Sequence, residues 1–413
     1  MNYEALSGKS VLLFGKTRAL SGDEFDTLLK LHKIERVGRF DESVALIIEG
    51  RMMNPYEQAE SARLYEEVNI PIVELSGVEE WLCRSIESNR LLMSLKLSRN
   101  QERLVNFLQN PYITDELFYK LLKLYDWRNE GLFDNDTNRD VTASIIGRFY
   151  TDLDRNHNVQ YAMSGLAQLI ERYGNAELIR AIAELSPISK ELNQPSDRSL
   201  SGVLDAMALH SDTPMVVLRK LLPTHERLLA VREPLVLEEE LMGRGEVGEL
   251  LAQNPTLSAA GRQTLLARYP ALSARYAPLD SSLFESLIKN YPSALGANRS
   301  LESAMQSALM ALEDEMTFAA LAANPIVEQH YIKTLLERGE YNTALASNPS
   351  LTQVDLESLY ATNDPEVHAA LAANTATPIE VLYQLSLDRR FERAVKINPS
   401  FGKHIQTHNI GWY

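Results

Sequence analysis

The chain has 413 residues, of which 45% are hydrophobic and 23% are charged, so its composition is that of a folded globular protein and excludes a wholly disordered chain. Asp and Glu number 56 against 41 Lys and Arg, and the resulting net charge of −15 excludes a chain that wraps nucleic acid along its whole length. Cys83 is the only cysteine, which excludes an internal disulfide and a metal site built from several thiolates.

No membrane-spanning or exported segment is predicted. The sequence has no apolar run approaching the ~18 residues of a membrane helix. Its N-terminal residues lack the basic and apolar regions of a signal peptide. We therefore expect a cytoplasmic protein without a membrane partner, and its length suggests two or three domains.

The first ninety residues alternate between strand-like and helix-like stretches. An apolar run at 11–14, closed by Gly15, predicts a buried strand. Ser21, followed by acidic residues and by apolar residues three or four apart, predicts a helix. The remaining strands are predicted at 36–40, 43–48 and 70–73, and the remaining helices at 54–64 and 78–86. This alternation predicts a small, largely parallel sheet with helices on both faces.

The order of these elements and several of their residues resemble a BRCT domain over residues 1–88. The resemblance rests on Gly8-Lys9-Ser10 before the first strand, on the third strand at 44–48, and on the fourth strand at 70–73, which Trp81-Leu82 follow ten residues later. BRCT domains are interaction modules, some of which bind phosphoserine peptides and some DNA ends that carry a 5′ phosphate. The resemblance therefore implies a small α/β domain with a binding role.

The resemblance also implies where a phosphate would bind. The family's pocket uses a Ser or Thr just before the glycine that follows the first strand, but Phe14 stands there in this chain. Lys16 and Thr17 follow the glycine and could substitute, and Arg63 is the basic residue nearest to the Lys that the second helix should offer. Phe14 favours a BRCT-like domain that binds protein surfaces without phosphate, and the alternative keeps Lys9, Lys16, Thr17 and Arg63 as phosphate contacts.

Residues 89–198 are predicted to form a basic connecting helix and an irregular helical region. Cations recur along the connecting segment, at Arg84, Arg90, Lys96, Arg99 and Arg103. We favour an interdomain helix whose charges pair with the acidic repeat region described below. The alternative is a contact from Arg90, Lys96 and Arg99 to nucleic acid or to an acidic partner.

From about residue 200 the chain repeats a short unit built on Leu-Ala-x-Asn-Pro, with intervals of 24 to 26 residues between the last five asparagines. The repeated asparagines are Asn254, Asn298, Asn324, Asn348, Asn374 and Asn398. A further turn is expected near Ala277-Pro278, and residues 207–214 align with residues 371–378. Residues 229–232 supply another degenerate unit, and residues 101–127 are an outlying copy. We count eight or nine units.

Each unit has a local physical logic. Leu-Ala-x ends a short helix, Asn stops that helix by bonding nearby backbone, and Pro suits the following turn because it cannot continue the helix. A Ser or Thr then caps a second helix, as Thr352 does. This pattern resembles the leucine-rich repeat variant family over about residues 200–400. The resemblance implies an α-helix paired with a short 3₁₀ helix in each unit, within a curved, right-handed, all-α solenoid that we assign to residues 199–413. The asparagines are expected to stack as a structural ladder in its interior.

The remaining candidate sites favour ordinary structural interpretations. Two stretches have part of the spacing of a calcium loop, namely Asp134, Asp136, Asn138 and Asp140, and then Asp152, Asp154, Asn156 and Asn158. Both lack the glycine and the closing glutamate of such a loop, so solvated loops are favoured over weak cation sites. His404 and His408 lie four residues apart, which favours an exposed tail over a metal site. We predict no catalytic residue, no cofactor and no metal.

These features together predict a multidomain, non-enzymatic scaffold. Its partner is expected to be a protein or peptide, held by the concave face of the solenoid and by the BRCT-like domain. The alternative is a DNA-associated factor of the repair or replication type, in which the BRCT-like domain and the basic helix contact phosphate. A third hypothesis is an enzyme whose catalytic groups lie in the irregular region at 128–200.

Overall fold

The computed structural model describes residues 2–150, 157–194 and 198–408. It divides into two compact units, Met1–Leu228 and Leu229–Tyr413. A small four-stranded parallel sheet lies near the N-terminus, and the many elements that follow it are helical, as the sequence predicts at this coarse level. Within the described ranges, no helix combines the length and apolar character needed to cross a membrane.

The sheet has the order β2-β1-β3-β4, and each neighbouring pair is parallel. Its strands are β1 Ser10–Phe14, β2 Glu35–Val37, β3 Val44–Glu49 and β4 Ile72–Glu74. In the register of the sheet, Val11 lies opposite Arg36 and Leu46, and Ile47 lies opposite Ile72. The two central strands are almost entirely buried, which is why their sequences are continuous apolar runs without alternation.

Three helices accompany the sheet. These are α1 Gly22–Leu31, α2 Pro55–Glu67 and α3 Leu75–Arg84. Ser21 caps α1 by accepting from the Glu24 backbone, and Asn54 with Glu57 forms a capping box on α2. Helix α3 begins at Leu75, before the predicted start at residue 78, because it follows β4 directly without a capping side chain that would mark its start.

The connecting segment is divided among several helices. In the rest of the first unit the helices are α4 Ser88–Ser98, α5 Gln101–Leu108, α6 Asp115–Leu122, α7 Asp136–Phe149, α8 Met163–Tyr173, α9 Ala176–Glu184, α10 Ser186–Asn193 and α11 Ser201–Leu209. The prediction of one basic helix is wrong in this respect. Helix α3 ends at Arg84, and α4 ends where Arg99 adopts left-handed geometry, with φ of 50°. Asn100 then caps α5 by accepting from the Arg103 backbone, so the helix cannot run through.

Helix α12 Met215–Val231 is interrupted at His225, where φ is −121° and ψ is 26°. Pro223 precedes the interruption by two residues, and a proline inside a helix removes one backbone hydrogen bond.

The second unit consists of short helices in alternation. They are α13 Glu238–Met242, α14 Gly248–Gln253, α15 Ala259–Arg268, α16 Pro270–Tyr276, α17 Ser281–Leu287, α18 Pro292–Gly296, α19 Ser303–Met310, α20 Glu315–Ala323, α21 Gln329–Arg338, α22 Asn342–Ala346, α23 Gln353–Tyr360, α24 Pro365–Ala373, α25 Ile379–Ser386, α26 Glu392–Ile397 and α27 Pro399–Thr407. The even-numbered helices from α14 to α26 contact one another in sequence, and one hydrophobic core extends from Ala274 to Val395. From α15 onward every described helix is an α-helix, whereas the leucine-rich repeat variant resemblance implies one 3₁₀ helix in each unit.

Candidate functional site

The repeated asparagines form a chain of buried hydrogen bonds in the second unit. Asn348 illustrates the pattern: its Nδ2 donates to Ala322 O at 2.8 Å and to Asn324 O at 3.1 Å, and its Oδ1 accepts from Ser350 N at 2.9 Å. The same three bonds recur at Asn254, Asn298, Asn324, Asn374 and Asn398. None of the six asparagines is more than 6% exposed. Each side-chain amide therefore bonds its own turn to the carbonyls of the preceding repeat. This role is structural.

The ladder is interrupted at Ala277. Asn298 Nδ2 donates to Ala274 O at 2.8 Å and to Ala277 O at 2.9 Å, so Ala277 occupies the position of an asparagine on the accepting side. Its methyl side chain cannot donate to the preceding turn at Asn254. One position inside the ladder therefore lacks its amide.

Two turns within Met1–Leu228 each share one hydrogen bond with turns of the repeats. Thr213 Oγ1 donates to Met207 O at 2.6 Å, as Thr377 Oγ1 donates to Leu371 O at 2.7 Å, in agreement with the sequence alignment of these segments. At the outlying copy, Asn110 Oδ1 accepts from the backbone two residues further on, at 2.8 Å. The Asn110 amide differs, because it donates to the Sγ atom of Cys83 at 3.3 Å.

A groove with a volume of about 760 Å³ runs across the turns of successive units, between residues 249 and 325. We call it the turn groove. Small side chains line part of it, at Ala297, Ala320 and Ala323, and exposed cations line another part, at Arg275 and Arg299. Because the small residues recur in successive units, a ligand backbone can approach several units at once.

Polar groups at one end of the turn groove are fixed by one another. Tyr276 donates its hydroxyl hydrogen to a carboxylate oxygen of Glu249, and the Arg275 guanidinium lies 5.3 Å from the centre of the Tyr276 ring. Burial, together with the hydrogen bond to Glu249, raises the pKa of Tyr276 above its ordinary value. Arg299 makes no ion pair with any residue that the structure describes, so its charge is available to a ligand.

The loop after β1 contains two of the predicted phosphate contacts, Lys16 and Thr17, but an internal carboxylate accepts a hydrogen bond from its backbone. Glu57 accepts from Gly15 N at 3.1 Å and from Asn54 N at 2.8 Å. These two backbone donors hold the pKa of Glu57 below its ordinary value. Lys16 exchanges main-chain hydrogen bonds with Arg51, at 2.7 and 2.9 Å. The amide that follows β1 is therefore already paired with a negative charge.

A second carboxylate occupies the next amides of the same loop. Glu79 is fully buried, and its Oε1 accepts from Arg18 N at 2.9 Å, from Ala19 N at 2.9 Å and from Leu20 N at 3.1 Å. Three converging backbone amides form the kind of concavity that binds anions. Here they bind a side chain of the protein itself. The roles of Glu57 and Glu79 were not predicted from the sequence, although an acid between Val78 and Leu82 on the apolar face of a helix was a usable signal.

The predicted phosphate contacts differ in their surroundings. Lys9 and Lys16 are exposed, and Thr17 is half-buried. Arg63 lies on α2, where it pairs with Glu60 at 2.6 Å and with Glu67 at 3.1 Å. Both partners of Arg63 are on its own helix, so this cation is neutralised locally.

The cations of the connecting segment fall into two groups. Arg84 pairs with Glu80, and Arg103 pairs with Glu24, so these two charges are satisfied within the first unit and not by the acidic repeats. In contrast, Arg90, Lys96 and Arg99 are exposed and make no ion pair with the described part of the chain. Helix α4 also exposes Met93 and Leu97, by 58% and 78%.

The first calcium-like stretch has a structural role. Asn138 is 2% exposed, with Oδ1 accepting from the Tyr125 hydroxyl at 2.7 Å and Nδ2 donating to Gly131 O at 3.0 Å. Of the second stretch, Asp152, Asp154 and Asn156 lie outside the described residues. Residues 2–150, 157–194 and 198–408 contain no cluster of three or more His, Cys, Asp or Glu side chains suited to a metal ion.

Comparison with known proteins adds no relative: no protein family, no curated protein and no solved structure matches this chain.

Proposed function

We propose that this chain is a non-enzymatic scaffold whose short helical repeats form a curved, right-handed solenoid and bind an extended segment of a partner protein. The observation that carries the proposal is the turn groove, because its lining comes from the turns of successive units. Repeated units at a constant spacing present equivalent positions along a surface, which suits an extended ligand. The regular asparagine bonds between units support a solenoid of the leucine-rich repeat variant kind.

The charges of the turn groove indicate the chemistry of the partner. Arg275 and Arg299 belong to consecutive turns, and both are exposed. A partner segment with acidic side chains at matching positions would form ion pairs there, while its backbone lies over the alanines. The chain has a net charge of −15, so these two cations also make the groove distinct from most of the surface.

The sharpest test uses selection of random displayed peptides on the immobilised full-length chain. We expect the enriched peptides to be rich in Asp and Glu, and their affinity can be measured by fluorescence anisotropy. Arg299→Glu should weaken the binding of such a peptide at least tenfold, about 1.4 kcal/mol, because it replaces attraction with repulsion.

The matched control is Lys333→Glu, which makes the same charge change at an exposed position of α21, away from the residues lining the turn groove. It should leave the affinity unchanged. Equal losses in the two variants, or no enrichment of acidic peptides, would contradict binding in the turn groove.

The first unit supports a second binding role within the same proposal. Its order of strands and helices is the one on which the BRCT resemblance rests. Glu57 and Glu79 occupy the amides of the loop after β1, so we propose a BRCT-like module that contacts protein without phosphate.

A DNA-associated function is the second candidate, because Arg90, Lys96 and Arg99 are exposed on and beside α4 without ion pairs to described residues. A duplex oligonucleotide with a 5′ phosphate tests it. Binding that falls steeply with added salt and disappears in the triple charge-reversal variant of these residues would favour this function over the scaffold.

A further inference from the structure

The six ladder asparagines show which main-chain acceptors each position of the ladder presents. In every case the Nδ2 group donates to two main-chain carbonyls of the preceding unit, with N–O distances of 2.7 to 3.1 Å. For Asn324, Asn348, Asn374 and Asn398, these two carbonyls belong to the preceding ladder asparagine and to the residue two before it. A pair of carbonyls is thus arranged to receive one NH₂ group.

The equivalent pair before Ala277 receives no such group. It consists of Ala252 O and Asn254 O, because Asn254 is the preceding ladder asparagine. Within the part of the chain that the structure describes, Ala252 O accepts no hydrogen bond, and Asn254 O accepts only from Leu257 N at 3.2 Å. The acceptors for an amide are present, while the amide is missing.

A cavity with a volume of about 690 Å³ opens at this position. Its lining includes Ala252, Asn254, Ser273 and Ala277, and we call it the gap cavity. Ser273 is 2% exposed, and its hydroxyl has no hydrogen-bond partner among the described residues. A buried hydroxyl without a partner costs free energy, so a ligand that engages it gains by doing so.

Ser273 is unusual among its equivalents. It directly precedes Ala274, whose carbonyl accepts from Asn298 as the carbonyls of Gly296, Ala322, Ala346 and Ala372 accept from the next asparagines. The residues that precede those four acceptors are the buried leucines Leu295, Leu321, Leu345 and Leu371. Ser273 and Ala252 both line the gap cavity. Between Asn254 and Asn398, the repeat that lacks the asparagine therefore also has a serine in place of a leucine, and its hydroxyl lies on the wall of the gap cavity without a partner among the described residues.

We propose that the gap cavity binds a primary carboxamide, the side chain of an asparagine or glutamine in a partner segment. This inference rests on the proposed function, since it supplies one element of the partner's sequence. The NH₂ group of the carboxamide donates to Ala252 O and Asn254 O, and its oxygen accepts from the Ser273 hydroxyl. A carboxylate is excluded because it has no hydrogen to donate to the two carbonyls. The turn groove and the gap cavity share Gln253, Tyr276 and Pro278, so one segment can occupy both.

The experiment uses the full chain, labelled with ¹³C at alanine methyl groups, with propionamide as the probe and propionate as its carboxylate control. The methyl signals of Ala252 and Ala277 should shift in a saturable manner with propionamide, with a dissociation constant in the millimolar range expected for so small a ligand. Propionate should cause no saturable shift. Similar shifts with both compounds, or no saturation with propionamide, would overturn the proposal.

Two variants separate this inference from the proposed function. Ala277→Asn should place an amide in the gap and abolish the response to propionamide at Ala252, and Ser273→Ala should weaken the probe at least threefold while preserving the fold. A response to propionamide that is unchanged in both variants would show binding elsewhere.

Arg299→Glu should leave propionamide binding unchanged, because this residue does not line the gap cavity. Loss of acidic-peptide binding in Arg299→Glu, without any response to propionamide, would retain the proposed function and reject the carboxamide site. The reverse result would reject the function in the turn groove and retain the carboxamide site.

Discussion

Cys83 lies in an unusual environment for the only cysteine of the chain. It is 5% exposed, its Sγ accepts from Asn110 Nδ2 at 3.3 Å, and Glu79 lies close enough to act on it electrostatically. Burial is the largest influence on the thiol, the hydrogen bond from Asn110 opposes it, and the charge of Glu79 adds to it. Together they raise the pKa of Cys83 to about 11.

We predict that the thiol reduces stability at alkaline pH. The unfolded chain releases the thiol proton at its ordinary pKa, below about 11, while the folded chain retains it. The free energy of unfolding should therefore fall as pH rises toward about 11. Urea unfolding at a series of pH values measures this fall, and Cys83→Ser, which keeps an acceptor for Asn110, should show a smaller one. Identical pH dependence in the two proteins would contradict the assignment.

At the same scale, the repeated asparagines were predictable from the sequence, but the two internal carboxylates were not. An asparagine that recurs with its neighbours is visible in one dimension. Glu57 and Glu79 act on a loop some forty and sixty residues earlier in the chain, so their role depends on the tertiary fold. The same applies to Ala277: its turn was predicted, while the cavity beside it was not.

At the scale of elements, each turn with a ladder asparagine depends on an amide that bonds to two consecutive repeats. We predict that Asn348→Ala costs about 3 kcal/mol, because it leaves two buried carbonyls and one backbone amide without their partner. Ser350→Ala is the matched control. It removes only the hydroxyl bond to Asn348 Oδ1, and should cost about 1 kcal/mol. Urea unfolding of the full chain, followed by far-ultraviolet circular dichroism, measures both costs, and equal values would show that the ladder amide has no special role.

The strands and helices of the first ninety residues were predictable, because local signals mark them. Ser21 and Asn54 cap their helices, and the central strands are continuous apolar runs. The single basic helix was mispredicted, because its apolar residues continue past Arg99, where the backbone turns left-handed. Asn100, a strong capping residue, was the local signal that a new helix begins there.

At the scale of the whole molecule, net charge is the property that the sequence determines most directly. The charge of −15 at pH 7 falls to zero near the isoelectric point of about 5.1. We predict a solubility minimum there, because the repulsion between copies disappears as the carboxylates become protonated. Light scattering across pH 4.5 to 7, with aggregation onset as the readout, tests this prediction. Constant solubility through the isoelectric point would contradict it.

The boundaries that we predicted after residues 88 and 198 stay predictions. The structure divides into the compact units Met1–Leu228 and Leu229–Tyr413. Helices α4 to α11 and the N-terminal sheet lie in the same compact unit. A change in sequence pattern shows where the repeats begin. The boundary of a compact unit depends instead on which side chains pack together, and the pattern does not show this.

The residue that follows each ladder asparagine also has a consequence for the ageing of the protein. Asparagine deamidates when the backbone nitrogen of the next residue attacks its side-chain carbonyl, and the proline nitrogen carries no hydrogen for that reaction. Asn254, Asn324, Asn348 and Asn398 precede proline, so this route to aspartate is closed to them. Asn298 and Asn374 precede other residues, so their protection comes from burial, at 1% and 5% exposure, and from their side-chain hydrogen bonds. Deamidation at these two positions would place a carboxylate next to two carbonyl oxygens. The repulsion between them would destabilise the contact between neighbouring repeats.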